Sequence, residues 1–128
     1  MATTVTVKVY FEAAHRLHNP DRDAAWNRCV FGKCNNLHGH GHNYVLEVTV
    51  GGSVDPATGM VMNLKELKRI VGEAVVARVD HKNLNVEVDF MNGVIPTTEN
   101  LAQRIFEVLQ RSLGGRLERI LLQETENN

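Results

Sequence analysis

Little in this 128-residue chain points to a membrane, a nucleic acid or an export route. No apolar run approaches the ~18 residues that a membrane-spanning helix requires. The opening Met1-Ala-Thr-Thr-Val-Thr-Val-Lys lacks the basic-then-apolar pattern of a leader. Charge of one sign is missing as well: 14 Lys and Arg stand against 15 Asp and Glu, so no polybasic field draws nucleic acid or an anionic lipid surface. Repeats, low-complexity tracts and linker-like stretches are absent. The expectation left standing is a cytoplasmic protein with a small soluble partner, no nucleic acid and no membrane. Cysteine is scarce, Cys29 and Cys34 alone, and in a reducing compartment free thiols or metal ligands are expected rather than a disulfide.

Hydrophobic residues make up 43% of the chain, enough for one compact core and too few for two, which predicts a single domain over residues 1–128. Residues 5 to 15 alternate, with Val5, Val7, Val9, Phe11, Ala13 and His15 on one side of a two-residue period, and read as a strand. Residues 16 to 37 lose the pattern and read as a long loop, a feature that in small domains tends to be functional. A second strand is predicted over about 40 to 50, where His42, Tyr44, Leu46, Val48 and Val50 share a face. Asp55-Pro56-Ala57-Thr58-Gly59 is a turn, and Met60-Val61-Met62 is expected to complete a hairpin as a short strand.

Asn63 then caps a helix running to about residue 78, with Leu64, Leu67, Ile70, Val71, Ala74 and Val75 at helical spacing. Thr97-Thr98-Glu99-Asn100 caps a second, carrying Leu101, Ile105, Phe106, Leu109 and Leu113 and stopped by Gly114-Gly115. Residues 117 to 124 alternate again as a strand of ambiguous sidedness. The order β-β-(short β)-α-α-β, without βαβ alternation, predicts an α+β layer: an antiparallel four-stranded sheet with two helices packed on one face.

Histidine is the strongest chemical signal, because five of the six fall between residues 15 and 42. Neutral imidazole is a favoured zinc ligand, and a catalytic zinc takes three protein ligands and keeps one position open. Residues two apart on a strand point the same way at ~6.6 Å, whereas His38 and His42 would lie ~13 Å apart, too far to share an ion. His40 therefore belongs to any pair. His42 is in phase with Tyr44, Leu46 and Val48, and His15 ends the other apolar face, which favours His15, His40 and His42 with His38 as the alternative member. The bland reading is a hydrogen-bonded core His15 and a solvated His-Gly-His-Gly-His turn. A structural knot using Cys29 and Cys34 is disfavoured by the short gap from Cys34 to His40.

Cys34 sits in a small, polar setting, where Lys33 or a metal ion would favour its thiolate as a base; inert packing is the alternative. Asp80-His81 offers a carboxylate–imidazole pair for proton relay, or else a helix-ending Asp beside a surface His. Glu124 shares a face with Ile120 and Leu122, and a half-buried carboxylate requires a partner such as two parallel N–H donors of a flat ligand.

Seven segments carry a resemblance that spans nearly the whole chain. They are Phe11-Glu12-Ala13-Ala14-His15-Arg16-Leu17, Phe31-Gly32-Lys33-Cys34-Asn35-Asn36, Gly39-His40-Gly41-His42-Asn43-Tyr44, Asp55 to Leu64, Asp80-His81-Lys82-Asn83-Leu84, Thr97-Thr98-Glu99-Asn100 and Glu124-Thr125-Glu126-Asn127. In this order they resemble the successive motifs of the 6-pyruvoyltetrahydropterin synthase family.

The resemblance implies the tunnelling fold, with three subunits pairing sheets into a barrel and two trimers stacked as a homohexamer whose sites lie between subunits. It implies His15, His40 and His42 as zinc ligands, Cys34 as the proton-abstracting base, and Asp80 with His81 as a relay contributed across an interface. Glu124 would anchor the amino-pyrimidine edge of a pterin, with Thr98 and Glu99 helping to line that pocket. The implied reaction converts 7,8-dihydroneopterin triphosphate to 6-pyruvoyltetrahydropterin and triphosphate, with Mg2+ suited to the triphosphate. The nearest alternative is a 6-carboxytetrahydropterin synthase, which typically has three residues between the cysteine and the paired histidines rather than the five separating Cys34 from His40. Pairing of His38 with His40 would reverse that argument. A non-catalytic pterin- or metal-binding module would leave Cys34, Asp80 and His81 without a role.

Overall fold

The structure is a computed structural model describing residues 2–128. Strands β1 (Thr3–His15) and β2 (His40–Gly52) pair antiparallel in unbroken register, from Thr3 opposite Gly52 to His15 opposite His40. Successive side chains of a strand point to opposite faces. The buried set follows the alternation: Val7, Phe11, Ala13 and His15 on β1, and Tyr44, Leu46, Val48 and Val50 on β2. The last strand, Leu117–Gln123, pairs antiparallel with the far edge of β2, and its sidedness resolves with Ile120 and Leu122 packed on the core.

The sheet is mixed rather than purely antiparallel. Strand β3 is only Lys82–Asn83 and runs parallel to β1 at Ala13 and Ala14, so that with the last strand as β4 the order is β3-β1-β2-β4. Two residues show no alternation that a sequence pattern could reveal. Main-chain bonds hold this strand instead, His81 N–H to the Glu12 carbonyl at 2.6 Å and Leu84 N–H to the Ala14 carbonyl at 2.8 Å. The short strand expected at Met60-Val61-Met62 does not form; the turn there closes on a single bridge between Asp55 and Met60.

Among the described residues there are three helices, not two. Helix α1 (Ala24–Phe31) and a 3-10 turn (Gly32–Asn35) occupy the segment expected to be loop. Asp23 caps α1 by accepting the Trp26 N–H at 2.8 Å. Its buried residue is polar: Asn27 is 0% exposed and bonds to the main chain of Asn19, Arg22 and Asp23. A helix anchored by an amide leaves no apolar period, so the segment carries no helical signal in its sequence.

Helix α2 begins at Leu64 with Asn63 accepting the Lys65 N–H, runs α-helical to Val71, widens through a π turn (Gly72–Val76) and closes at Ala77–Val79. Leu67, Val71, Val75 and Val79 recur every fourth residue and are all 0% exposed. An ideal α-helix overshoots by about 40° at each such step. The wider π turn reduces that drift and keeps the row against the sheet. Helix α3 (Thr98–Leu113) is capped by Thr97 and ended by Gly114 at φ 59. Leu101, Ile105 and Leu109 of α3, the α2 row and the inner faces of β1 and β2 form one apolar cluster. Among the described residues no helix is long and apolar enough to cross a membrane.

Leu109 is 0% exposed in the C-terminal half of α3. Leu109→Ala is expected to lower unfolding free energy by about 2–5 kcal/mol, measured by urea denaturation; a loss below about 1 kcal/mol would mean that the site collapses around the missing side chain.

Candidate metal centre and adjoining cleft

The register of β1 and β2 determines where the histidines meet. His15, last in β1, stands directly opposite His40, first in β2, and His42 follows two residues along the same face. Their ligand atoms lie within 4.8 Å of one another, and their rings stand at 80–89° to each other. His15 Nε2 is 3.3 Å from His40 Nε2. His38 is exposed and lines a separate cleft with Pro20, Val86 and Ile95, so the alternative pairing is not the one formed.

His15 is 1% exposed and its Nδ1–H donates to the Pro96 carbonyl at 2.8 Å. In a neutral ring that bond leaves the Nε2 lone pair for a cation, as outer partners of metal-bound histidines do. Burial lowers the pKa of His15 below its ordinary 6.5, against the opposing pull of the Pro96 carbonyl and Glu124, and so favours the neutral, ligating form. Gly39, at φ 69, presses on the same strand end: a Cβ there would lie 2.5 Å from the His15 carbonyl oxygen.

The donor set suits zinc. A tetrahedral ion with nitrogens at 2.0–2.1 Å holds neighbouring nitrogens about 3.3 Å apart, which is the His15–His40 separation. Three imidazoles also leave a fourth position open, the arrangement of catalytic rather than structural zinc.

Glu124, just beyond β4, turns its Oε1 to within 3.4 Å of His42 Nε2 and 3.5 Å of His15 Nε2. Its main-chain N–H donates to the Asn128 carbonyl at 2.8 Å, so the terminal residues fold back into a turn that steadies it. A cleft of about 870 Å³ opens beside the trio, lined by His42, Tyr44, Glu12, Asp80, His81 and Glu124 among others. The Tyr44 ring stacks on Phe11 at 4.9 Å, and its buried hydroxyl lacks a hydrogen-bond partner among the described residues. Burial, reinforced by the Glu124 charge, pushes that phenol's pKa up and keeps it neutral.

Asp80 and His81 do contact each other. His81 adopts a left-handed backbone at φ 59, uncommon for a side-chain-bearing residue. Its Nδ1 lies 3.0 Å from Asp80 Oδ2 and its Nε2 3.2 Å from Glu12 Oε2. The other Asp80 oxygen accepts the Glu12 N–H at 2.9 Å, and chiefly for that reason the carboxyl titrates below its usual range. Sequence reasoning missed Glu12, an outward residue on an alternating strand, and the Pro96 carbonyl, a main-chain group with no side-chain signal.

Cys34 lies half-buried in the 3-10 turn, its carbonyl accepting the Leu17 N–H at 2.8 Å, and is not part of the wall that holds Asp80 and His81. Thr98 and Glu99 sit in the first turn of α3, half-buried and exposed respectively, and also lie off that wall. One chain thus sets His42 of the trio, Glu124, Asp80 and His81 along a common cleft that Cys34, Thr98 and Glu99 do not line.

Fold and site together define an α+β protein with three histidines spaced as donors to one cation beside an open, largely polar-rimmed cleft. A model of the family described as 6-pyruvoyl tetrahydropterin synthase matches residues 4–128. The chain is 47% identical over 125 residues to the 6-pyruvoyl tetrahydrobiopterin synthase of Homo sapiens, covering 97% of this chain and 86% of that one. It is 43% identical to the Dictyostelium discoideum synthase of the same name, covering 100% and 95%. The structure of Caenorhabditis elegans 6-pyruvoyl tetrahydropterin synthase superposes with a TM-score of 0.94 at 40% identity, covering 100% of this chain and 92% of that one. The chain belongs to the 6-pyruvoyl tetrahydropterin synthase family.

Gly39→Ala is expected to displace His15 and weaken zinc binding by about 10–100-fold, measured by competition with a chromophoric chelator; unchanged affinity would remove Gly39 from the site's support. The lowered His15 pKa also has a sign: the stability it contributes is complete above the unfolded value of 6.5 and is lost as pH falls through the lower folded value. The metal-free protein should therefore melt at progressively lower temperature from about pH 7.5 to about pH 5, and His15→Gln should flatten part of that slope. Parallel slopes for the two proteins would contradict it.

Proposed function

We propose that the chain catalyses the conversion of 7,8-dihydroneopterin triphosphate to 6-pyruvoyltetrahydropterin and triphosphate. In this reading it is a zinc-dependent lyase of tetrahydrobiopterin-type biosynthesis, acting in the cytoplasm, with residues 1–128 as one pterin synthase domain. The observation that carries the reading is the convergence of three imidazole donors beside the cleft that presents Glu124, Asp80 and His81. The paired histidines are His40 and His42, so five residues separate Cys34 from the first of them, the spacing expected of the pyruvoyl rather than the carboxy branch.

His15, His40 and His42 would hold the zinc, which when bound supplies a Lewis acid for the substrate's side-chain hydroxyls. Glu124 accepts the two parallel N–H groups of the amino-pyrimidine edge, as a carboxylate accepts a guanidinium, and Thr98 and Glu99 help to line that pocket. Cys34 removes a proton from the side-chain carbon. His81, oriented through Nδ1 by Asp80, exchanges protons at Nε2, and the geometry of that pair supports the role. Loss of triphosphate and tautomerisation into the pterin ring complete an internal redox change without nicotinamide. Mg2+ would accompany the triphosphate.

Assembly as a homohexamer, a dimer of trimers with sites between subunits, completes the proposal. Its support is the partition within one chain: His81 and Asp80 are 73% and 38% exposed, on a different wall from Cys34, Thr98 and Glu99, and a neighbouring subunit would bring the sets together.

Incubation of the zinc-loaded protein with 7,8-dihydroneopterin triphosphate should give 6-pyruvoyltetrahydropterin by mass; a carboxylated pterin with acetaldehyde would overturn the pyruvoyl assignment. Cys34→Ala should lose turnover by about 10²–10⁴-fold with its zinc content intact, and retained turnover would remove Cys34 as the base.

A further inference from the structure

The charges of this chain are nearly balanced, yet one cleft gathers cations alone. It lies between the end of β1, helix α1 and the Gly32–Asn35 turn, encloses about 530 Å³, and is lined by Arg16, His18, Arg28, Lys33, Asn35 and Asn36 among others, with no Asp or Glu in its wall. Three arginines elsewhere are compensated, Arg69 by Glu66 and Glu73, Arg78 by Asp89, and Arg104 by Glu107, whereas Arg22, Arg111, Arg116 and Arg119 share with those of the cleft the lack of an ion pair among the described residues. Arg16, Arg28 and Lys33 form no ion pair among the described residues. Like charges brought together repel unless an anion lies between them.

Part of this wall is pre-ordered. Arg16 donates from Nε to the Asn35 carbonyl at 2.9 Å, and its main chain is clamped at both groups by the Asn85 amide at 2.8 Å. The guanidinium is thereby held while its Nη hydrogens remain for a ligand, in the planar fork that suits phosphate oxygens. Asn35, 8% exposed, donates from Nδ2 to the Leu17 carbonyl and to His18 Nδ1, which leaves the His18 ring proton on Nε2 as a further donor.

The cleft is also joined to the reacting groups. Arg16 follows the ligand His15, Lys33 precedes Cys34, and the Leu17 N–H to Cys34 carbonyl bond ties the two segments together. We propose that this cleft is a polyphosphate-binding site that receives the triphosphate arm of the substrate, with Arg16, Arg28 and Lys33 as its cations and His18 as a neutral donor. The proposal rests on the pterin synthase reading for the identity of the ligand. A substrate whose reacting carbons lie between His15 and Cys34 lays its phosphoryl end along Arg16 and Lys33. Cations placed there also stabilise the charge of the departing triphosphate.

The test uses the assembled, zinc-loaded protein with magnesium tripolyphosphate as one probe, titrated calorimetrically, and phosphate-free neopterin as the other. Arg28 and Lys33 are exposed, so the double variant Arg28→Glu/Lys33→Glu is expected to fold, and Arg28→Gln/Lys33→Gln provides a milder form. Charge reversal should weaken tripolyphosphate binding by at least about tenfold and raise KM for the triphosphate substrate, with neopterin affinity held within about twofold. The conservative Arg28→Lys/Lys33→Arg variant should bind tripolyphosphate nearly as the parent does. Equal tripolyphosphate affinity in parent and reversed variant, or parallel loss of both probes in the milder variant, would overturn the site. If the parent binds tripolyphosphate through these residues but does not turn over the pterin triphosphate, the polyphosphate site stands and the pterin reading fails.

Discussion

The antiparallel pairing that sets His15 opposite His40 determines the positions of all three imidazoles, because on a two-residue period a single-residue slip would turn one strand's histidines to the other face. That register is enforced far from the metal centre. Val7 and Phe11 on β1 and Leu46, Val48 and Val50 on β2 are at most 3% exposed, and burying side chains of this size contributes about 1.5–3 kcal/mol each. A slipped register would expose that apolar row to water. Hydrophobic burial at one end of the sheet therefore sets nitrogen positions at the other.

The helical layer reaches the same point from the opposite side. Pro96 precedes the Thr97 cap of α3, and its carbonyl orients the His15 ring. Gly39 lets the approach to β2 pass against the end of β1 without a Cβ. The His15 ring is buried, and its pKa is lowered by that burial, whereas His81 is largely and Asp80 partly solvent-facing. Those two chemistries suit different environments, and the sheet separates them by placing one set on its inner face and the other at the β3 edge.

Much of this was legible in the sequence where apolar residues keep a period. Strands β1 and β2, the Asn63 and Thr97 caps, and the helices behind them follow from alternation, helical spacing and capping chemistry. Strand phase also separated His42 from His38. Helix α1 was hidden because Asn27, not a hydrophobe, anchors it, and β3 because two residues carry no period. Met60-Val61-Met62 looked extended but lacks a partner beyond the bridge at Met60. Main-chain contributors such as the Pro96 carbonyl leave no trace in residue identity. The role of Glu12 beneath His81 depends on β3 lying beside β1, a contact 69 residues apart in the chain that no local pattern encodes.

Strands β1 and β2 bring His15, His40 and His42 within reach of a single ion. X-ray absorption at the zinc edge of the loaded protein tests this arrangement most directly. Three imidazole nitrogens at about 2.0–2.1 Å and one further light ligand are predicted, with one imidazole lost in His42→Ala and none in His38→Ala. A sulfur scatterer at about 2.3 Å, or loss of an imidazole in His38→Ala, would contradict the account.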